Sequence, residues 1–293
     1  MLEGILVSIA CGLAWSISII LWKKIDDNLD PLLINLGKNI TGFLLFLVTV
    51  SLFAPSMPII GNEDLKAILI SGFIGIGIAD ALVLRSINFL PASNVALLEC
   101  LYSPLVILFA IVFLGEGLSV TQVIGISLVL GAVVYIQKPG SMKGQEIAGR
   151  LFFKGFLYML AGLLFMAYGV VLMKPVLADV SLLWVITLRM ASGVFASGLV
   201  FAFSPGKMNS IKFALASHQK TMLFTSFITS SYIAILLWVM GFKLLSASLS
   251  AVLNQTSTIF TVVLAAIFLK EKLTTGRAMA TAVAVAGVVV LSI

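Results

Sequence analysis

LPASNVALLECLYSPLVILFAIVFLGEGLSVTQVIGISLVLGAVV, at residues 90–134, consists of two long apolar runs separated by the turn Gly-Glu-Gly. The runs cover residues 92–114 and 119–137, and Glu99 and Glu116 are the only charged side chains in the stretch. An α-helix needs about 20 mostly apolar residues to cross the hydrocarbon core of a bilayer. The stretch therefore predicts two consecutive transmembrane helices joined by a tight turn.

The same pattern continues along the whole chain of 293 residues. Hydrophobic residues make up 61% of the sequence and charged residues 10%, whereas a soluble domain contains roughly 25% charged residues. Charged residues, Pro and Gly divide the chain into ten apolar runs, at residues 3–22, 32–53, 65–86, 92–114, 119–137, 152–173, 180–203, 219–241, 246–269 and 274–293. The longest links between them, residues 138–151 and 204–218, are each too short to form a domain. The sequence therefore predicts an all-α polytopic membrane protein with ten transmembrane helices.

The net charge of +6 does not indicate nucleic-acid binding, because the cations are spread over short loops between apolar runs. Thirteen Lys and Arg residues lie in loops that follow odd-numbered helices. Only three, Lys66, Lys174 and Lys243, lie in loops that follow even-numbered helices. Because cytoplasmic loops of membrane proteins are enriched in Lys and Arg, this bias predicts a multi-pass protein of the inner or plasma membrane with both termini outside the cytoplasm.

The second part of the chain repeats the first. At an offset of 155 residues, the pattern Phe-Leu-x-Glu-x-Leu at 113–118 recurs at 268–273. The repeat predicts two halves of five helices each, residues 1–140 and 141–293. Because five is an odd number, the two halves cross the membrane in opposite directions. In secondary transporters, inverted repeats place the substrate site near the bilayer midplane, between the halves.

The stretch at 90–134 and its weaker echo LSASLSAVLNQTSTIFTVVLAAIFLKEKLT at 245–274 resemble the paired domains of the EamA-type branch of the drug/metabolite transporter superfamily. The resemblance covers essentially the whole chain. It implies a ten-helix carrier of small metabolites such as amino acids, often coupled to protons. The family's usual proline in the fourth helix is present as Pro104, but the equivalent residue in the ninth helix is Ile259. The sequence therefore does not predict the same kink in both halves.

Two carboxylates and one amide lie inside predicted spans, where a charged side chain costs roughly 3 kcal/mol on insertion scales and usually faces protein or a water-filled cavity. Glu99, in the fourth helix, is a candidate for recognising a substrate amine or for proton coupling; alternatively, it ties helices together. Asp80, in the third helix, is either a coupling carboxylate or the ion-pair partner of Lys38 or Arg189. Asn254 is equivalent to Glu99 in the repeat and either contacts substrate or bonds between helices.

The repeat relates two buried cations, Lys38 in the second helix and Arg189 in the seventh, at an offset of 151 residues. The functional alternative is that each binds a substrate carboxylate or phosphate, or sets the field in the cavity. The structural alternative is that each side chain extends to the nearer interface or satisfies helix-end carbonyls in a gate. Trp15 and Tyr102 are the leading aromatic candidates for the cavity wall, because an aromatic ring can contact a cationic or apolar substrate. The alternative for both rings is packing.

These features predict a secondary carrier of a small polar metabolite, an amino acid or a related zwitterion or amine. It would work by alternating access, with efflux as the expected direction and protons as the candidate coupling ion. The alternatives are a flippase-like carrier of an amphipathic or lipid-linked substrate and a non-transporting receptor or assembly protein. The sequence has no Walker-type phosphate loop and no HExxH, CxxC or GxSxG motif, so no enzyme, metal site or cofactor is predicted. The expected partners are a small-molecule substrate and the lipid bilayer, with a homodimer as the candidate assembly and no nucleic acid.

Overall fold

The described part of the chain is a bundle of helices. The computed structural model describes residues 2–25, 29–54, 56–115, 119–136, 149–216, 218–245, 247–271 and 275–291. Within these ranges the chain is helical and contains no strand. The turn that carries Glu116 lies outside the described residues.

Ten membrane helices follow one another in the predicted order. They are α1 (Leu2–Lys24), α2 (Pro31–Phe53), α3 (Asn62–Ile87), α4 (Ala92–Glu99 and Tyr102–Leu114), α5 (Val120–Ile136), α6 (Gly149–Met173), α7 (Leu182–Ala202), α8 (Lys220–Leu244), α9 (Ala247–Asn254 and Thr256–Phe268) and α10 (Thr275–Leu291). Each end lies within about three residues of its predicted position. Two shorter helical segments, Pro175–Ala178 and Lys207–Ala216, occupy predicted loops.

The lengths of these helices suit a membrane. Seven of them, α1 to α4 and α6 to α8, are each long and apolar enough to cross a bilayer. The helices α5 and α10 have 17 residues each, which corresponds to about 25 Å of helix and to the lower limit of a span. The helix α9 is apolar but interrupted. The predicted all-α, ten-helix architecture is confirmed.

The packing of the helices follows the inverted repeat. Helix α1 of the first half packs against α8 and α9 of the second half, and α6 of the second half packs against α3 and α4 of the first. Helix α2 packs against α7, and α5 packs against α10. Exchanging each helix for its repeat equivalent reproduces the same set of contacts. The core therefore lies between the two halves rather than inside each of them.

Both α4 and α9 are interrupted, and the interruptions are equivalent in the repeat. The first segment of α4 ends at Glu99 and the first segment of α9 ends at Asn254, which are 155 positions apart in the sequence. Pro104 follows the interruption in α4, but α9 has Ile259 at the equivalent position. A proline is therefore not required for the interruption in α9, and both halves are interrupted although the sequence did not predict the same kink in both.

Hydrogen bonds between α4 and α9 explain why both helices tolerate the interruption. The Thr258 hydroxyl of α9 donates to the Ala96 carbonyl of α4, at 3.1 Å. The Ser103 hydroxyl of α4 donates to the Ala251 carbonyl of α9, at 3.4 Å. The two bonds are equivalent in the repeat, and each provides a partner for a carbonyl near an interruption. In a membrane such carbonyls must be satisfied within the protein.

Removing one of these bonds is expected to weaken the contact between the halves. The Thr258→Val substitution keeps the shape of the side chain but removes its donor, and should lower the free energy of unfolding by about 1 kcal/mol. Thermal unfolding in detergent measures the change. The matched control is Ser127→Ala, because the exposed Ser127 hydroxyl donates to the Val123 carbonyl within its own helix α5. If Thr258→Val is as stable as Ser127→Ala, the hydrogen bond from Thr258 to α4 does not stabilise the contact between the halves.

Helices α3 and α8 each contain a wider π-helical turn, at Phe73–Ile78 and Thr229–Ile233 respectively. Such turns are rare and often occur at functional sites. The Asn35 amide of α2 donates to the Gly77 carbonyl at 2.9 Å, so a polar side chain from a neighbouring helix holds the turn in α3. Asp80 lies just beyond this turn, separated from it by Ala79 in the same helix.

Candidate functional site

A cavity of about 110 Å³ lies between the two halves. Seven helices contribute to its wall, namely α1, α3, α4, α6, α7, α8 and α9. Six of the seven side chains predicted from the sequence line it: Trp15, Asp80, Glu99, Tyr102, Arg189 and Asn254. The seventh, Lys38, is not part of the described wall but contacts Asp80. The fold therefore brings together, in one cavity wall, predicted residues from the five helices α1, α3, α4, α7 and α9.

Glu99 is the last residue of the first segment of α4 and is only 7% exposed. The Trp15 indole of α1 donates a hydrogen bond to its Oε1 atom, at 2.8 Å. Its second oxygen, Oε2, is buried and has no hydrogen-bond partner within the described residues. A buried carboxylate of this kind is oriented by one partner and keeps an acceptor for another group.

Arg189 of α7 is the opposite charge in the cavity and is 4% exposed. Its Nη1 atom donates to the Met173 sulfur at 2.7 Å, and its guanidinium lies over the Trp238 ring, 5.4 Å from the ring centroid. No carboxylate lies within ion-pair distance of Arg189 in the described parts of the chain. A thioether is a weak acceptor, so the guanidinium retains donors for an anionic group. Planar guanidinium groups bind carboxylates well.

Lys38 and Asp80 form a buried ion pair. Lys38 Nζ lies 2.5 Å from Asp80 Oδ2 and also donates to Asn39 Oδ1 at 2.9 Å. Lys38 is 3% exposed and Asp80 is 6% exposed. Of the alternatives for Asp80, the structure shows the ion pair, and it selects Lys38 rather than Arg189 as the partner. The cations related by the repeat thus have different surroundings.

Several polar atoms of the cavity wall are unpaired within the protein. Among the described residues, Glu99 Oε2, Tyr102 Oη, Arg189 Nε and both side-chain polar atoms of Asn254 are buried without a hydrogen-bond partner. Buried polar groups are normally paired, so each exception needs an explanation. Because the four residues that carry these atoms line one cavity, the site suits a ligand with several polar groups.

The cavity wall also contains residues that sequence analysis did not select. Trp238 and Ser230 of α8 are two of them. At an offset of 155, Trp238 and Ser230 are equivalent to Val83 and Gly75 of α3, which also line the cavity but carried no signal of a site in the sequence. Five such pairs line the cavity: Gly75 and Ser230, Asp80 and Ile235, Val83 and Trp238, Glu99 and Asn254, Tyr102 and Ser257.

Comparison with known proteins identifies the class. The sequence profile of the EamA-like transporter family matches residues 2–137 and 153–293, nearly the whole chain. A protein of known crystal structure has the same fold, with a TM-score of 0.70 and 16% sequence identity over 98% of this chain and 96% of that one. No curated protein matches the sequence. The chain belongs to the EamA-like transporter family of the drug/metabolite transporter superfamily. It is a multi-pass membrane protein of a transporter family, not of an enzyme family.

Proposed function

We propose that the protein is a secondary carrier of a small zwitterionic metabolite, an amino acid or a related amine. The observation that carries the proposal is the pair of buried charges in the cavity. Glu99 comes from the first half and Arg189 from the second, and neither has an ion-pair partner among the described residues. Glu99 would bind the amine and Arg189 the carboxylate of the same molecule.

The size and the walls of the cavity agree with such a substrate. A volume of about 110 Å³ corresponds to roughly eight water-sized groups, which suits a small metabolite better than a large drug. Trp15, Tyr102 and Trp238 provide aromatic surface. Aromatic rings can contact both an ammonium group and an apolar side chain. The remaining wall combines aliphatic residues with the polar side chains of Asn254, Gln255, Ser230 and Ser257, and with Asp80, whose charge is paired with Lys38. Glu99 and Arg189 are therefore the two unpaired charges that the described wall offers to a substrate.

The position of Glu99 supports the proposal of alternating access and proton coupling. The cavity lies where α4 and α9 cross, between halves that are inverted with respect to each other, as in other secondary transporters. An ionised carboxylate inside a membrane protein is costly without a partner. When the substrate amine leaves Glu99, a proton can replace it. Exchange of amine and proton at one carboxylate would couple efflux of the substrate to entry of protons.

Flux measurements in proteoliposomes test this function. A panel of labelled amino acids, amines and carboxylic acids is offered with and without a pH gradient. We expect flux of at least one zwitterion, accelerated by the gradient, and a raised thermal unfolding temperature with the same compound, because a ligand stabilises the native state. A folded protein that moves and binds none of the panel contradicts the proposal. Movement of a labelled phospholipid instead would favour the flippase alternative.

A further inference from the structure

The charges of the cavity balance only when a residue outside its wall is included. Asp80, Glu99 and Arg189 line the cavity and together carry a formal charge of −1. Lys38 belongs to α2, and none of the described wall residues comes from α2. Its contact with Asp80 restores a net charge of zero. One positive and one negative group then remain for a ligand.

Lys38 is held firmly in this position. Besides Asp80, its ammonium contacts the Asn39 side-chain oxygen. The Asn39 amide in turn lies 3.4 Å from the Ser197 hydroxyl of α7 and 3.5 Å from the Ile76 carbonyl in the π-helical turn of α3. The ion pair is thus part of a buried polar network between α2, α3 and α7. This network holds the Lys38 ammonium against Asp80, although Lys38 itself does not line the cavity.

We propose that Lys38 sets the charge selectivity of the cavity by neutralising Asp80, and so makes it a site for zwitterions rather than for cations. Lys38 acts as a positioning residue, because it works through Asp80 and does not itself line the site. The inference rests on the proposed function, since it takes the cavity to be the substrate site. The preference for zwitterions then depends on Lys38, a side chain that the substrate does not contact.

Two single substitutions should shift selectivity in opposite directions. The Lys38→Met variant leaves the carboxylate of Asp80 uncompensated and changes the charge around the cavity to −1. The Asp80→Asn variant leaves Lys38 uncompensated and changes the charge to +1. Each shift should alter the ratio of amine to carboxylic-acid affinity about tenfold or more, because charges inside a protein interact far more strongly than in water. The Lys38→Met/Asp80→Asn double variant restores neutrality, and its ratio should return to that of the natural protein.

Ligand-dependent thermal stabilisation of the purified protein in detergent provides the test. The probes are leucine, 3-methylbutylamine and 4-methylpentanoate, which share a side chain and differ in their charged ends. We expect the affinity for 3-methylbutylamine, relative to that for 4-methylpentanoate, to rise in Lys38→Met and to fall in Asp80→Asn. Loss of stability alone would weaken all three ligands together, so opposite shifts separate the proposed role from a merely structural one.

The outcomes for the inference and for the proposed function are distinct. Absence of leucine binding and of any zwitterion flux in the natural protein contradicts the proposed function, but opposite shifts in the two variants still support the role of Lys38. The inference is overturned if the ratio of amine to carboxylic-acid affinity is the same in Asp80→Asn as in the natural protein. It is also overturned if both single variants shift this ratio in the same direction. If Lys38→Met does not fold, Asp80→Asn and the double variant still decide the matter. A Lys38→Arg variant keeps the charge and should keep the ratio.

Discussion

Glutamine in place of Glu99 is expected to abolish transport of zwitterions and to weaken their binding at least about thirtyfold, or 2 kcal/mol or more. Glu99→Gln keeps the size of the side chain and an acceptor for the Trp15 indole, but removes the negative charge that faces the cavity. Binding of a carboxylic acid without an amine should change much less, because Arg189 is intact. Flux in proteoliposomes and ligand-dependent thermal stabilisation measure the two effects.

The control for this substitution is Glu63→Gln. Glu63 is exposed and pairs with Lys66 one helical turn away, and such surface pairs contribute little to stability. Glu63→Gln should therefore leave both transport and stability unchanged. Trp15→Phe removes the hydrogen bond to Glu99 but keeps an aromatic ring, and an intermediate effect is expected. If Glu99→Gln transports as well as Glu63→Gln, Glu99 is not the amine-binding group.

Alanine in place of Gly72 is expected to lower the free energy of unfolding by about 3 kcal/mol or to prevent folding altogether, since overpacking of a tight contact cannot relax. Gly72 ends the first part of α3, where the helix passes directly over α7. A Cβ atom on Gly72 would overlap the backbone carbonyl oxygen of Arg189 and lie 2.8 Å from its Cα atom. Backbone atoms cannot rotate away, so the two helices would have to separate.

Gly131→Ala is the matched control, because a Cβ atom on Gly131 of α5 meets nothing within 4 Å. Alanine favours a helix over glycine by about 1 kcal/mol, so this variant should be as stable as the natural protein or more so. Yield of folded protein and its unfolding temperature in detergent compare the two. Because Gly72 contacts the backbone of Arg189, Gly72→Ala protein that does fold should also bind carboxylates less well. Equal stability of the two variants would show that α3 and α7 are less closely packed than the structure indicates.

The site combines symmetry of the backbone with asymmetry of the side chains. Equivalent interruptions in α4 and α9 and equivalent π-helical turns in α3 and α8 give the two halves the same framework. On that framework, Glu99 faces the cavity opposite an equivalent amide, Asn254. The backbone symmetry suits a carrier that exchanges the roles of its halves, whereas the different side chains allow the cavity to bind a molecule with two different ends.

Much of the fold could be predicted from the sequence because the bilayer constrains it locally. A helix that crosses the hydrocarbon core must be apolar over its own length, and this can be seen in one segment without reference to any other. The repeat at an offset of 155 residues indicated two halves of five helices each. Because five is an odd number, the two halves must cross the membrane in opposite directions. The candidate residues Glu99, Arg189 and Asp80 were equally visible, because ionisable groups are rare inside such segments.

Only the tertiary structure decided which side chains pair with each other. Sequence offered both Lys38 and Arg189 for Asp80, and only the packing of α2 against α3 assigns Lys38 and leaves Arg189 facing the cavity. The interruption of α9 without a proline likewise depends on hydrogen bonds from α4, a helix about 155 residues away in the sequence. Hydropathy depends on each segment and its solvent, whereas pairing depends on which helices meet. The sequence therefore determined the ten helices and their charged residues, and the fold decided which charges cancel and which two remain unpaired in a common cavity.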